Sequence, residues 1–295
     1  MIRQEPSRVT EARAFDRHRP LLFSIAYRML GSVMDAEDAV QEACLRWRGA
    51  EGEIRSSEGY LSTVVTRFSI DRLRSAKARR ERYVGLWLPE PLATGEDADV
   101  AEAPVVGETL SMAFLVLLES LNPVERAVFL LREVFDYDYA EISSIVGKSE
   151  ANCRQIARRA RQAVASKRGR RASSESQQER MTRLFVEACA GGDMQGLLSL
   201  LSEDVVLYSD GGGKAVTARI PVYGSDRVAR LLLGLARKRA AWFTDIRLVG
   251  INGRLGVVGY SGIFQPALLP SGSPTGGYGP SSTCETWTSC APCLP

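Results

Sequence analysis

The chain has 295 residues, with 38 Lys+Arg against 35 Asp+Glu and a formal net charge of +3. That length suffices for two domains or three small ones, and a total so near neutrality says little about partners, so the distribution of charge matters more. No apolar run reaches the roughly 18 residues of a membrane span, and the start, MIRQEPSRVTEARAF, lacks the apolar core of a secretory signal, so a cytoplasmic protein with no membrane contact is expected.

The charge is unevenly placed. Glu119 to Arg171 holds eleven basic and seven acidic residues, whereas Leu86 to Thr109 holds six acidic residues and no basic one. Basic modules joined by an acidic strap are the expected organisation. Six cysteines are scattered as Cys44, Cys153 and Cys189 and then Cys284, Cys290 and Cys293, which is no disulfide framework. The terminal CAPC falls short of the four ligands of a tetrahedral zinc site and His18 is the one histidine, so neither a metal nor a cofactor is expected.

In chain order, residues 1–84 read as helices. Phe15, Leu22, Ile25, Ala26, Met29 and Leu30 recur at helical spacing up to Gly31. DAEDAVQEACLRWRG follows, with Ala36, Ala39, Val40, Ala43 and Trp47 inward and Asp35, Asp38, Gln41, Glu42 and Arg46 outward. Gly49 to Ser57 is a loop by composition, and a long helix then carries Leu61, Val64, Val65 and Phe68 on its apolar face. Its far end gathers Arg72, Arg74, Lys77, Arg79, Arg80 and Arg82, six cations in eleven residues, more than the helix dipole alone calls for. Residues 85–107 are an acidic, proline-containing linker whose WLPEPL is apolar enough to dock on a neighbouring domain.

Residues 108–171 are helical again. Leu110, Phe114, Leu117, Leu118 and Leu121 form one stripe, and NPVE opens the next helix with Asn122 as cap, Pro123 in the first turn and Glu125 reaching back. YAEISSIVGK ends in Gly147, able to take the positive φ of a tight turn, and SEANCRQIARRARQAV follows with Ser149 as cap. Cys153, Ile156, Ala157 and Ala160 fall on one face of that last helix, leaving Arg154, Gln155, Arg158 and Arg159 outside it. A short helix, a glycine turn and a basic helix make a helix-turn-helix candidate.

After a serine-rich linker, residues 172–264 change pattern. Two helices precede VVLYSDGGG and AVTARIPVYG, read as strands around a glycine turn; SDRVARLLLGLARKR is a helix, and two more strands surround the turn in INGRLG. This is an α+β arrangement resembling a small cone that encloses a pocket. Residues 265–295, rich in Pro, Gly, Ser and Thr without alternation, are expected to be disordered.

These motifs resemble a bacterial sigma-70-type factor of the extracytoplasmic-function group. DAEDAVQEACLRW is similar to the polymerase-binding helix of region 2, YLSTVVTRFSIDRLR to the helix that melts and reads the −10 element, and the stretch from Leu121 to Arg161 to region 4, which reads the −35 element. The C-terminal block, WLPEPL and the DGGG at Asp210 resemble the class with a SnoaL-like, nuclear-transport-factor-type extension, thought to tune activity in place of a separate anti-sigma protein. The implied fold is two all-α domains, the second with a helix-turn-helix, followed by an α+β cone. The class's closing Asn-Pro-Asp-Lys-Leu-like motif is absent, which implies a cone incomplete at its C-terminus and an atypical tail of the kind a reading-frame change leaves.

The resemblance implies site residues. Asp35, Asp38, Gln41 and Glu42 would meet core RNA polymerase. Arg67, Arg72, Arg74, Lys77, Arg79 and Arg80 would neutralise a melted −10 strand, with the 49–57 loop receiving a base. Lys148, Ser149, Asn152, Arg154, Gln155, Arg158 and Arg159 would read promoter DNA at −35. Trp87, Leu88 and Pro89 with Asp210, Gly211, Gly212 and Gly213 would form a regulatory contact. A monomer within the holoenzyme is implied, and the cone admits an unidentified small ligand. Asp210 or Tyr208 without a histidine in that domain is a poor acid–base pair, so no enzyme is expected. The competing readings are a stand-alone helix-turn-helix regulator and a ligand-binding or enzymatic cone fused to a DNA-binding module.

Overall fold

The computed structural model describes residues 8–50, 54–80, 88–92, 111–167, 175–210, 220–239, 243–261 and 285–287. Contacts divide the chain into two compact units, Met1–Gly169 with Asp210–Arg219 and Arg170–Ser209 with Ile220–Pro295. The two helical blocks that the sequence suggests are separate domains therefore form one unit, and Asp210 groups with them rather than with the C-terminal block.

The first unit contains α1 (Arg8–Leu30), α2 (Val33–Arg48), α3 (Ser57–Arg80), α4 (Met112–Leu118), α5 (Pro123–Glu133), α6 (Tyr139–Val146) and α7 (Glu150–Lys167). The reason for its unity is α5. Arg126, Ala127, Val128, Phe129, Leu130 and Leu131 are consecutive and all buried, so this helix keeps little solvated surface along its middle. One side, with Ala127, Phe129 and Leu130, joins the core of α1, α2 and α3, which includes Leu22, Ile25, Ala26, Val40, Leu61 and Val65. The other side, with Val128 and Leu131, joins a second core of Tyr137, Ile142, Ile145, Cys153, Ile156 and Ala157.

Local chemistry starts α2, α5 and α6. Ser32 caps α2. Asn122 and Glu125 form a reciprocal capping box on α5 with Pro123 in its first turn, and Asp138 and Glu141 form a second on α6. The phase of α4 differs from the sequence reading: Leu115 and Leu118 are its buried residues, while Phe114 and Leu117 are half-buried. Seven residues make too short a helix for periodicity to fix which face is inner.

Arg126 is 3% exposed, yet its Nη1 donates to Met29 O at 2.8 Å and to Glu119 Oε1 at 3.0 Å. The carbonyl it caps lies in the last turn of α1, where no intrahelical N–H remains to receive it. Arg28, in the same turn, is 1% exposed, donates to Ser24 O and Oγ, and lies 5.6 Å from the Phe135 ring centroid. Burial lowers its pKa to about 10, opposed by Tyr27, so the group stays charged at neutral pH.

The second unit contains α8 (Glu175–Gly191), α9 (Met194–Leu200), β1 (Val206–Leu207), β2 (Val222–Tyr223), α10 (Ser225–Arg239), β3 (Phe243–Ile251), β4 (Arg254–Ser261) and β5 (Glu285–Trp287). Its core is Ala188, Leu197, Leu201, Val205, Leu207, Val228, Ala229, Leu232 and Leu233. β1 pairs antiparallel with β2, and β3, β4 and β5 form a separate antiparallel sheet. The β3–β4 turn is Asn252-Gly253, with φ of 51° and 75°, the left-handed pair a two-residue hairpin needs.

Two expectations change here. The α+β cone read from the sequence implies one sheet, whereas the described strands fall into two; β2 is only two residues long and follows Pro221, which has no N–H to extend the ladder. Disorder was expected throughout 265–295, whereas Glu285–Trp287 pair with Val257, Val258 and Gly259 of β4. A three-residue strand carries no readable alternation; the ladder donors and acceptors on the second edge of β4 define it.

Arg126→Ala removes the buried guanidinium that satisfies the Met29 carbonyl and pairs with Glu119. It is expected to destabilise the first unit by about 2–4 kcal/mol in urea unfolding, and a loss below 0.5 kcal/mol would contradict this account of the α1–α5 junction.

Candidate nucleic-acid interface

The turn between α6 and α7 is built by Gly147, whose φ is 65° and whose N–H donates to Ser143 O. A side chain there would have room but would be held in a left-handed backbone. Ser149 Oγ then accepts from Asn152 N–H at 3.3 Å and starts α7. Cys153, Ile156, Ala157 and Ala160 are buried against α5 and α6, and burial pushes the Cys153 thiol pKa up. Lys148, Ser149, Asn152, Arg154, Gln155, Arg158 and Arg159 are all exposed, so one side of the turn and helix is available to a ligand.

Within that set, Arg154 is held. Its Nη2 donates to Glu150 Oε2 at 2.8 Å, and its guanidinium carbon lies 5.1 Å from the Tyr139 ring centroid. Arg132 lies 5.3 Å from the same ring, and Arg161 donates to the Tyr139 hydroxyl at 3.4 Å and to Glu133 Oε1 at 2.9 Å. Sequence reasoning missed Tyr139, Arg132 and Arg161. The one signal available was the position of Tyr139 immediately after a capping aspartate, which fixes its backbone against the neighbouring helix.

On α2, Asp38 and Gln41 are exposed, and Asp35 and Glu42 are half-buried. Met34 and Leu45 are exposed apolar residues on this helix, at 76% and 57%. Glu42 accepts from Arg46 at 2.7 Å. Asp35 Oδ1 accepts from both Nε and Nη2 of Arg72, at 3.0 and 2.6 Å, and Asp38 lies 3.9 Å from the same guanidinium. Two residue sets assigned from sequence to different partners are thus joined by an ion pair across α2 and α3.

Arg67 is likewise engaged within the protein. Its Nε donates to Ile145 O at 2.8 Å and its Nη2 to Ser144 O at 2.9 Å, at the C-terminal end of α6. Arg74 pairs with Asp71 at 3.4 Å. Lys77, Arg79 and Arg80 belong to α3, but their side chains lie outside the described residues. Arg46, Arg67, Phe68, Asp71, Arg72 and Ser75 line an open cavity of about 260 Å³.

Tyr137 shares a hydrogen bond with Ser62 Oγ of α3 at 2.8 Å and donates to Glu58 Oε1 at 3.4 Å. Burial raises the pKa of this phenol; the Ser62 hydrogen bond opposes that shift, and the charges of Glu58 and Glu141 add to it. Glu58 also lies 3.9 Å from His18, whose Nε2 is 3.1 Å from Ser57 Oγ.

Leu88, Pro89 and Leu92 are buried. Glu90 N–H donates to Gly31 O at 2.7 Å, Tyr27 OH donates to Glu90 O, and Glu90 Oε2 accepts from Val33 N–H, so this short segment closes over the α1–α2 turn. Leu88 N–H donates to Asp210 Oδ2 at 3.0 Å. Trp87, Gly211, Gly212 and Gly213 lie outside the described residues. Among the described residues no three His, Cys, Asp or Glu side chains converge as metal ligands, and no helix is long and apolar enough to cross a membrane.

Arg67→Gln is expected to weaken the docking of α6 on α3 by about 1–3 kcal/mol. Amide exchange across Tyr139–Val146 reads this directly; unchanged exchange would mean that the two carbonyl bonds contribute nothing to docking.

Residues 14–79 match the model of sigma-70 region 2 and residues 111–164 that of sigma-70 region 4. The chain is 43% identical over 250 residues to the ECF RNA polymerase sigma factor SigJ of Mycobacterium tuberculosis, covering 83% of this chain and 80% of that protein. It is 35% identical over 228 residues to the probable ECF RNA polymerase sigma factor SigI of the same species, covering 75% of each. The crystal structure of M. tuberculosis SigJ superposes with a TM-score of 0.70 at 38% identity, covering 84% of both chains. The fold, the helix-turn-helix and these relatives converge: the chain belongs to the extracytoplasmic-function RNA polymerase sigma factors of the sigma-70 family and directs transcription as a sigma factor.

Proposed function

We propose that the chain brings core RNA polymerase to promoter DNA through three surfaces and that its C-terminal α+β unit modulates this activity. The observation that carries the reading is the turn at Gly147 with the exposed edge of α7 behind it. An α-helix fits the major groove, and Arg154, Asn152 and Gln155 offer the donors and acceptors that read guanine and adenine edges. Lys148 and Ser149 sit at the helix N-terminus, where phosphate oxygens are favoured.

The acidic and amide face of α2, with Met34 and Leu45 exposed on the same helix, is the proposed seat of polymerase. Charge alone would give a salt-sensitive encounter; exposed apolar side chains add area that water leaves on docking. The cavity beside Phe68, with Arg46, Arg67 and Arg72 in its lining, suits a base turned out of a melted strand, because an aromatic face and cations are what single-stranded recognition uses.

Asp210 supports the modulatory reading. It adjoins Ser209 at the edge of the second unit and accepts the Leu88 N–H from the docked linker segment. A bound segment beside the α1–α2 turn can bias how α2 presents its face, so the C-terminal unit acts through the linker and not through catalysis.

Multi-round transcription with core polymerase tests the proposal. Full-length chain is expected to give specific transcripts, and Asp210→Ala to change their yield without moving the −35 base preference. Specific DNA binding that needs no polymerase, with no transcript, would instead identify a stand-alone helix-turn-helix regulator. Equal yield from Asp210→Ala and wild type would remove Asp210 from the modulatory contact.

A further inference from the structure

Tyr139 sits where α5, α6 and α7 of the region 4 module meet. It is the first residue of α6, and its backbone is pinned by the Asp138–Glu141 capping box, in which Asp138 Oδ1 accepts from Glu141 N–H at 2.7 Å and Glu141 Oε2 from Asp138 N–H at 2.9 Å. Three guanidinium groups converge on it: Arg132 from α5 and Arg154 from α7 at cation–π distance from the ring, and Arg161 from α7 at the hydroxyl.

Their roles differ. Arg132 also donates to Tyr137 O at 2.9 Å and pairs with Asp136, and Arg161 pairs with Glu133, so both brace the module internally. Arg154 belongs to the exposed edge of α7, with 56% of its side chain open to solvent, yet it is fixed by Glu150 along its own helix and by the Tyr139 ring from the neighbouring one.

We propose that Tyr139 is a positioning residue for promoter selectivity, holding the Arg154 guanidinium in the orientation from which it reads a base edge. The inference rests on the proposed reading of the −35 element by α7. A flexible arginine loses rotamer freedom when it makes a bidentate contact, whereas one already held by a ring and a carboxylate loses less. The gain is confined to the geometry that fits one base, so it appears as discrimination at one position and not as general affinity. Tyr139 itself need not touch DNA.

The test uses holoenzyme made from core polymerase and the full chain, transcribing a DNA library randomised across the promoter, with base preferences read from the sequenced transcripts. Arg154→Ala is expected to flatten the preference at one −35 position. Tyr139→Leu, which keeps bulk but removes the π face, is expected to lose about two- to fivefold of the preference at that same position, the fold-change of an exposed cation–π contact. Tyr139→Phe is expected to retain it, and the Tyr139→Leu/Arg154→Ala pair to be no flatter there than Arg154→Ala alone.

A Tyr139→Leu chain that lowers all transcripts uniformly, or that leaves every preference intact, while Arg154→Ala flattens one position, would overturn the positioning role and leave Tyr139 a structural brace. If Arg154→Ala flattens no position, base reading by Arg154 fails, and the inference falls with it.

Discussion

Arginine side chains set against helix carbonyls of the other block hold the first unit together. Arg126 of α5 donates to Met29 O at the end of α1, and Arg67 of α3 donates to Ser144 O and Ile145 O at the end of α6. Helix C-termini carry carbonyls without intrahelical donors and a partial negative charge, so a guanidinium fork satisfies both at once. Each sequence block thus completes a helix end that belongs to the other. Apolar burial around α5 supplies most of the area, but these bonds fix which turns meet.

This constraint reaches function directly. The −10 and −35 elements lie about 25 base pairs apart, on the order of 85 Å at 3.4 Å per step. Helices α3 and α6, proposed parts of the two readers, are in contact through Arg67. On the proposed reading, both readers cannot engage their elements while that contact stands, and Arg67 cannot serve carbonyl oxygens and a DNA strand together. The same competition holds for Arg72, which is paired with Asp35. In this structure Arg67 and Arg72 are therefore held internally, and on the proposed reading promoter binding exchanges those partners for phosphates.

The sequence was most legible where the determinant is local. Asn122, Pro123 and Glu125 announce α5, Gly147 announces the turn, and the small and apolar residues from Cys153 to Ala160 announce the inner face of α7; all are where expected. The family resemblance, carried by motif order, was equally accessible. What could not be read was the destination of long side chains. A cation at a helix end looks the same whether it meets DNA, a carboxylate or a distant carbonyl, and only the tertiary meeting of α3 with α6 assigns Arg67. Tyr139 was hidden for the same reason, since its three arginines come from positions 7, 15 and 22 residues away. The β5 strand and the split sheet depend on which strand edge is left to pair, which no local pattern records.

The exchange of partners is the central claim, and a distance measurement tests it most directly. With a donor dye at exposed Arg48 on α2 and an acceptor at exposed Gln162 on α7, energy transfer in the free chain should be set by the closed unit. It should fall when core polymerase and promoter DNA are both added. Transfer that stays constant through assembly of a transcribing complex would contradict the account, because the two readers would then work from the contact seen here.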